Sequence, residues 1–571
     1  MYKHRPYYGL LMGVSLGVIL AATPSVAQSI PSTADPSRIF SSPTLKAPDF
    51  ESVGGSSSRP LSLANPPAGA ENIKFTLRRV EIEGATAYSE DELKSIYAPM
   101  MGREISLADL FILSAQIQQK YFTDGYSFAR VVLPEQKVDD GSVTLEIIEG
   151  GVAEVDAQNL NANSYLVQDA VSQIAAMRPL NVLKLERLLL VLNDFVDGDV
   201  VSVVSGLDTN DPRRSNGLIK ISLVQQEKKP LSGYARINNH GSVFSGPVQI
   251  EAGLSYIHAP INYSKTSISM AAAIPFNDMK NVGVQVRTPI FGASGASLNA
   301  SYTRGWSEAG HTLDVLDIIG QNETFSAGVN YPIMRQRDID WNTFANLTLK
   351  NVDSDFLGID LYRDRLRSVS VGTNITKSDG LSGVNFAGVT FTHGFDVFGA
   401  RETGSSELSR LEGRSDFFKT EGQFGRLQSL PRGFEFYGNA AFQWANTPLL
   451  SSEEFGYGGA ERGRAFSPSE LTGDRGASVT VEIRKNFRPE AFNLALQPFV
   501  TYEAGMVKNL DSTDRSSQSG TSVGAGVRVY APNGISGEFL VSKPLTRNLE
   551  NPPRYASEDG LQMLFSLQKS F

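Results

Sequence analysis

From about Leu231 to the C terminus the chain alternates apolar and polar residues over segments of about ten, without any helical period. Val248, Ile250, Ala252, Leu254 and Tyr256 fall on one face, and Gln249, Glu251 and Ser255 on the other. The pattern recurs at Phe434, Phe436, Ala440, Phe442 and Trp444, at Val479, Val481 and Ile483, and at Leu561, Met563, Phe565, Leu567 and Phe571. One such segment fits any sheet, but about sixteen in succession predict a large all-β body. Short turns such as Pro431-Arg432-Gly433 and Pro532-Asn533-Gly534 take turns with long polar loops at 306–321, 396–413, 447–474 and 543–560. That asymmetry predicts a transmembrane barrel over residues 230–571, with about sixteen antiparallel strands, short periplasmic turns and long external loops. The polar half of each strand then lines a wet lumen, because a mid-plane Arg or Lys facing lipid costs about 2–4 kcal/mol. Sixteen strands enclose an aqueous channel unless something plugs it.

Helical periods appear only upstream. In residues 72–150 a strand over 75–82 leads to Ser89-Glu90-Asp91-Glu92, a capping box opening a helix with Leu93, Ile96, Tyr97 and Met100. A second helix opens near Ser106 and aligns Leu110, Leu113, Ile117 and Tyr121, and strands follow over 129–133 and 143–148. Residues 151–229 repeat this β-α-α-β-β order, with helices over about 164–177 and through Leu185, Leu188, Leu192 and Phe195, and strands over 200–204 and 218–224. The fold class is therefore two α+β domains ahead of an all-β barrel. Residues 28–71, rich in Pro, Ser and Gly, read as a linker or short plug segment with at most a short helix near Asp35–Ile39. At the start, Lys3 and Arg5, an apolar run from Leu10 to Ala22 and Ser25-Val26-Ala27 lay out a secretory signal peptide over 1–27; the apolar run is too short for a spanning helix.

Composition removes several alternatives. The chain is 41% hydrophobic and 20% charged, and no later apolar run reaches spanning length, which excludes a helical membrane protein. It has no cysteine, hence no disulfide or thiolate chemistry, and a net charge of -9 argues against nucleic acid as partner. The five His show no metal-ligand spacing, so neither a metal nor a cofactor is expected. Gly-x-Ser-x-Gly occurs within Gly13–Gly17 and Gly520–Gly524, the first in the leader and the second opening a barrel strand; neither is a strand-to-helix elbow. No catalytic residue is expected.

The stretch that narrows the function lies between the eleventh and twelfth barrel segments: Tyr457-Gly458-Gly459, then Gly463-Arg464-Ala465-Phe466, then Gly473-Asp474-Arg475-Gly476 and Glu482-Ile483-Arg484. Here the chain resembles the two-partner secretion transporters (the TpsB family, of haemolysin-activator type), which carry Val-Arg-Gly-Phe/Tyr in this loop. Gly463 replaces the usual Val, and Ala465 the usual Gly; a positive torsion at 465 would strain Ala. Gly125-Tyr126, Pro134-Glu135-Gln136, Gly141 and Glu149-Gly150 are similar to the family's first POTRA domain. Tyr502-Glu503-Ala504-Gly505 stands where the family has aromatic-Asp-x-Gly, and Phe565, Leu567 and Phe571 resemble its terminal barrel-assembly signal, with Lys569 out of place in that series.

The resemblance implies an outer-membrane polypeptide translocator with POTRA domains in the periplasm. Its partners would be an unfolded secreted exoprotein in transit, the barrel-assembly machinery during biogenesis, and outer-membrane lipid. Arg464 is expected to fold back into the lumen and fork a carboxylate, for which Glu503 is the candidate; the other reading is a solvated loop whose Arg touches nothing. Exposed POTRA sheet edges can take an extended chain by strand addition. An insertase of the same superfamily and a porin or polysaccharide channel are the competing functions.

Overall fold

The computed structural model describes residues 31–39, 66–138, 140–208, 210–213, 217–226, 229–276, 278–489, 493–512, 517–549 and 560–571. The signal-peptide reading of 1–27 lies outside the described residues.

A helix of four residues, α1 (Pro36–Ile39), stands alone near the start. The first α+β domain comprises β1 (Lys74–Thr76), β2 (Arg79–Glu83), α2 (Glu90–Tyr97), β3 (Glu104–Ser106), α3 (Leu107–Thr123), β4 (Arg130–Val132) and β5 (Ser142–Ile148). Both helices start on capping boxes: the Ser89 N–H donates to Glu92 at 2.9 Å, and the Asp109 N–H to the Ser106 hydroxyl at 3.2 Å. The strand expected over 75–82 is two strands. β1 pairs with β3, whereas β2 runs parallel to β5, and the chain breaks where it changes partner. Leu110, Leu113, Ile117 and Tyr121 line the core, as their spacing predicts.

The second domain follows with β6 (Gly151–Gln158), α4 (Tyr165–Ala175), α5 (Val182–Asn193), β7 (Asp199–Gly206) and β8 (Leu218–Gln226). Its sheet order, β6-β8-β7, matches β2-β5-β4 in the first: a parallel edge, a central last strand and an antiparallel edge. The domains meet at Asn181, whose Oδ1 caps α5 through the Leu183 and Lys184 N–H groups while its Nδ2 donates to the Asp124 carbonyl at 2.9 Å.

The barrel strands are β9 (Leu231–Asn238), β10 (Val248–Ile257), β11 (Lys265–Ile274), β12 (Met279–Pro289), β13 (Ser297–Glu308), β14 (Ile318–Arg335), β15 (Ile339–Phe356), β16 (Ile359–Ser378), β17 (Gly383–Gly394), β18 (Phe418–Leu430) and β19 (Phe434–Ala445). After a hairpin of β20 (Phe455–Tyr457) and β21 (Leu471–Gly473) come β22 (Arg475–Lys485), β23 (Ala495–Lys508), β24 (Ser517–Ala531), β25 (Ile535–Asn548) and β26 (Gln562–Ser570). Leaving out that hairpin, sixteen antiparallel strands close into a barrel, sealed where β26 meets β9 from Ser566↔Asn238 to Ser570↔Tyr234. Ile250, Leu254, Phe442, Val500, Met506, Met563 and Leu567 are exposed on its outside, while Asn238, Thr480, Glu482, Thr501 and Glu503 are buried inside.

β14, β15 and β16 are 18, 18 and 20 residues long, twice the expected segment, whereas a crossing takes about 9–11. Beyond the apolar belt both faces meet water, so alternation fades, and charged positions such as Asp353, Asp355, Arg363 and Arg365 are strand, not loop. For the same reason the loop expected over 306–321 shrinks to the residues between Glu308 and Ile318.

The second domain is fastened to the near end of the barrel. Arg335 holds Asp194 through two bonds of 2.8 and 3.0 Å. Asp169 accepts from the Ala293 N–H at 2.7 Å, and the Tyr263 hydroxyl from the Asn161 N–H at 2.9 Å. Tyr263 and Ala293, both from barrel turns, are buried in the second domain's hydrophobic core.

Candidate functional site in the barrel lumen

The segment between β19 and β22, residues 446–474, starts from the far end of the barrel and folds into the lumen. Its stalk is the β20–β21 hairpin, with Tyr457↔Leu471 as the innermost pair. Phe455, Tyr457, Ala465, Phe466 and Leu471 form a small core with Val507 of the wall and Leu549. Two glycines make the seat for these rings. A Cβ on Gly505 would lie 2.2 Å from the Tyr457 ring, and one on Gly520 2.4 Å from the Phe466 ring. Gly520, first residue of the Gly-x-Ser-x-Gly set aside above, thus serves close packing, and Ser522 is a buried lumen residue of β24.

At the loop tip the Phe466 N–H donates to the Gly463 carbonyl at 2.8 Å, closing a β-turn with Arg464 and Ala465 at its centre. The left-handed torsion falls on Gly463, at φ 70, and Ala465 is not among the positive-φ residues. The strain that a positive torsion would impose on Ala465 is absent. Glycine is needed where the turn is entered, and the buried Ala methyl packs in the loop core.

Arg464, only 4% exposed, meets a polar floor on β22 and β23, where Thr480 lies opposite Glu503 and Glu482 opposite Thr501. Its Nε is 3.0 Å from Glu503 Oε1, its Nη2 is 2.7 Å from Glu482 Oε1, and Nη2 also donates to Thr501 Oγ1 at 2.9 Å. The Arg464 backbone N–H donates to Glu503 Oε2 at 2.8 Å. The guanidinium therefore does not fork one carboxylate through two parallel bonds; it bridges two carboxylates on neighbouring strands, because the cross-strand register sets them diagonally. Glu482 in turn holds Arg484 at 2.7 Å and Arg528 at 3.2 Å, and Arg528 holds Glu538 at 2.6 Å. The cluster balances three guanidinium groups with three carboxylates, as burial of charge requires.

Asp474, fully buried, accepts from Arg410 Nη1 and from the backbone N–H groups of Leu449 and Leu510, each at 2.6 Å. It ties together three far-end loops. Gly473 and Gly476 flank it with backbone close to Asn509 and Phe455 respectively.

A second set of ion pairs joins the loop's first half to the barrel wall at β15 and β18 and to α1. Glu453 holds Lys350 of β15 at 2.6 Å and Lys419 of β18 at 3.0 Å, while Glu454 is paired with Arg38 and, at 3.2 Å, Arg410. Asp35 accepts from the Tyr362 hydroxyl at 2.6 Å, and the Thr33 carbonyl from Ser242 Oγ at 2.7 Å. Residues 33–38 are thus buried inside the barrel, so of the two expectations for 28–71, a linker or a short plug segment, the free linker does not hold for this part. A cavity of about 680 Å³ remains between α1, the loop and the hydroxyl-rich wall of Ser326, Ser370 and Thr390.

The Arg464 and Phe466 positions were legible in the sequence; Glu482, Thr501, Arg528 and Tyr457 were not assigned roles there. Inward Glu and Arg two residues apart, as in Glu482 and Arg484, are the signal that could have found them. At the C terminus Phe565, Leu567 and Phe571 lie on the outer face, 37%, 52% and 65% exposed. The Phe571 N–H and carbonyl pair with Gly233 at 3.0 and 2.9 Å, and Lys569 reaches the Asn533 carbonyl in a near-end turn, which lifts its ammonium out of the apolar belt. Among the described residues no group of three or more His, Asp and Glu could hold a metal ion.

Comparison with known proteins gives a consistent result. Residues 217–529 match the family model of the haemolysin secretion/activation protein ShlB/FhaC/HecB, and residues 75–150 that of the ShlB-type POTRA domain. The chain is 24% identical to the heme/hemopexin transporter protein HuxB of Haemophilus influenzae over the full length of both chains. It is 22% identical to the outer membrane transporter CdiB of Escherichia coli over 90% of this chain and 86% of that one. The solved structure of CdiB from Escherichia coli superimposes with a TM-score of 0.76 at 19% identity, covering 94% of this chain and 95% of that one.

Proposed function

The chain belongs to the haemolysin secretion/activation (ShlB/FhaC/HecB) family, and from that premise we propose how this outer-membrane transporter captures and exports its secreted partner polypeptide. The barrel crosses the outer membrane, and the two POTRA-type domains stand in the periplasm. An unfolded partner docks on a POTRA sheet edge through main-chain hydrogen bonds, which need no fixed sequence. It then threads through the lumen. Partner folding outside the cell biases the movement.

The observation that carries this reading is the loop held inside the lumen by Arg464 between Glu482 and Glu503. A loop folded there and α1 beside it occupy the conduit, so export requires at least one of them to be displaced. Arg464 sets the resting position of the loop, and α1 acts as a short plug. Phe565, Leu567 and Phe571 present the apolar, strand-final pattern through which the barrel-assembly machinery inserts the chain, and the apolar outer face contacts lipid.

Deleting the gene and comparing the proteins released to medium and cell surface is the direct test. Loss of one large polypeptide is the expected outcome; an unchanged set would remove the export role.

A further inference from the structure

The outer wall of the barrel carries two cations that the strand register sets face to face. Arg475, the first residue of β22, lies directly opposite Lys508, the last residue of β23. Both point away from the lumen, because their neighbours point into it. A Cβ on Gly476 would lie 2.2 Å from the Phe455 ring, and Val507 is buried in the core of the lumen loop. Successive side chains alternate across a sheet, so Arg475 and Lys508 face out. Like charges directly opposite one another destabilise a sheet. Arg475 donates through Nε to the Ala445 carbonyl at 2.8 Å and lies over the Trp444 ring at 5.1 Å; neither contact carries a counter-charge. Lys508 is exposed, and among the described residues no carboxylate pairs with either cation.

Outward lysines at the near end are placed differently. Lys485 of β22 and Lys569 of β26 each donate to the carbonyl of an adjacent turn, Arg432 and Asn533 respectively. Lys508 has no such bond among the described residues. Just below the two far-end cations the wall is apolar: Phe442, Val479 and Met506 are 48%, 38% and 57% exposed. Trp444, on β19 beside Arg475, marks the boundary, as tryptophan does at membrane interfaces. The near end carries the periplasmic domains, so this boundary lies at the outer leaflet.

We propose that Arg475 and Lys508 bind the phosphate of a phosphorylated glycolipid of the outer leaflet, with its acyl chains against Phe442, Val479 and Met506. Depth and side select the occupant. The outer leaflet of an outer membrane consists chiefly of such glycolipids, and their phosphate supplies the negative charge that the wall does not. Arg475 offers a planar fork to two phosphate oxygens and Lys508 a point charge from across the strand pair. Ala445 ends β19 and Arg475 begins β22, so the bond between them closes the root of the 446–474 loop. A phosphate on Arg475 therefore braces that loop from outside the barrel. The proposal does not depend on what passes through the lumen.

The test uses the purified full chain in detergent, with bis-phosphorylated lipid A as probe. Lipid A stripped of both phosphates, and phosphatidylglycerol, serve as comparisons; binding is read by native mass spectrometry and by the thermal midpoint. Arg475→Gln and Lys508→Gln are each expected to weaken lipid A binding about fivefold, and the double variant about thirtyfold. Lys485→Gln at the near end leaves binding unchanged, and all variants remain heat-modifiable in gels. Without lipid, Lys508→Gln melts no lower than the wild type, since a like-charge contact has been removed. Equal binding by the wild type and the double variant overturns the proposal. So does equal binding of the dephosphorylated lipid, which makes the contact merely apolar, or of phosphatidylglycerol, which makes it a site for any anionic lipid. A lower midpoint for Lys508→Gln without lipid overturns it too, since Lys508 would then have a partner within the chain.

Discussion

Arg464 reaches Glu503 through Nε and Glu482 through Nη2, so truncating it leaves two buried carboxylates short of a counter-charge. Breaking a buried pair from one side costs about 3–5 kcal/mol in a dry site. Arg464→Ala is therefore expected to free the loop tip from the floor while the barrel still forms; export of the partner falls at least severalfold, and protease cleavage within 458–470 rises. Arg464→Lys keeps the charge but cannot span both strands, and falls between the two. In the first domain, Glu149 accepts from the Tyr121 hydroxyl at 2.7 Å and from the Thr86 and Ala87 N–H groups, each at 2.8 Å. Burial, and after it the bond to Glu149, pushes the Tyr121 hydroxyl well above the ordinary tyrosine range. A raised folded-state pKa gives stability that is fully present below about pH 10 and is lost as pH rises through the folded value. Tyr121→Phe is expected to cost about 1–2 kcal/mol at neutral pH and to reduce the alkaline dependence, to which Tyr88 and Tyr97, also raised by burial, still contribute. Urea unfolding of the domain, followed by Tyr fluorescence at several pH values, reads both.

At the scale of elements, α1 and the 446–474 loop are joined to each other through Arg38 and Glu454, and to the walls through Tyr362, Lys350 and Lys419. The two occupants of the lumen share one electrostatic cluster, so displacing α1 loosens the loop's first half while the Arg464 end holds. Deleting residues 32–39 is expected to raise the single-channel conductance of the purified protein in planar bilayers above that of the intact chain. Adding Arg464→Ala to the deletion raises it further. Asp474 sits where three far-end loops converge, and each of its bonds involves a charged acceptor, a class worth about 1.5–3 kcal/mol. Asp474→Asn is expected to expose the loops around Arg410 and Leu449 to external protease with the barrel still heat-modifiable in gels.

For the molecule as a whole, the second domain and the barrel share a core: Tyr263 and Ala293 of the barrel turns are buried among Leu166, Val191 and Phe195. Arg335 adds its two bonds to Asp194 beside them. The second domain is thereby fixed at the near end of the barrel, whereas the first domain meets the second through the narrower contact at Asn181 and Gly125. Tyr263→Ala combined with Arg335→Ala is expected to raise amide exchange in the 258–264 turn and in α4 about tenfold, equivalent to roughly 1.4 kcal/mol, with the first domain unaffected.

How far the sequence alone reached depends on the range of the forces involved. Period-two alternation with short and long connections specified a sixteen-strand barrel, since lipid outside and water inside must be met by successive residues. The capping boxes at Ser89 and Ser106 specified the starts of α2 and α3, and the 3.6-residue period specified α2 to α5 in the same way. The Arg464 loop and Glu503 were legible through resemblance. What the tertiary structure decided was every relation set by register or by distant chain: the second carboxylate, Glu482, brought under Arg464 by the diagonal of β22 and β23; the burial of residues 33–38 in the lumen, which no local pattern encodes; the extra length of β14 to β16, hidden because alternation is unnecessary beyond the membrane; and the placing of Arg475 opposite Lys508 on the outer face. Local periodicity reports what solvent each residue meets, while partners far apart in sequence are chosen only when the barrel has closed around them.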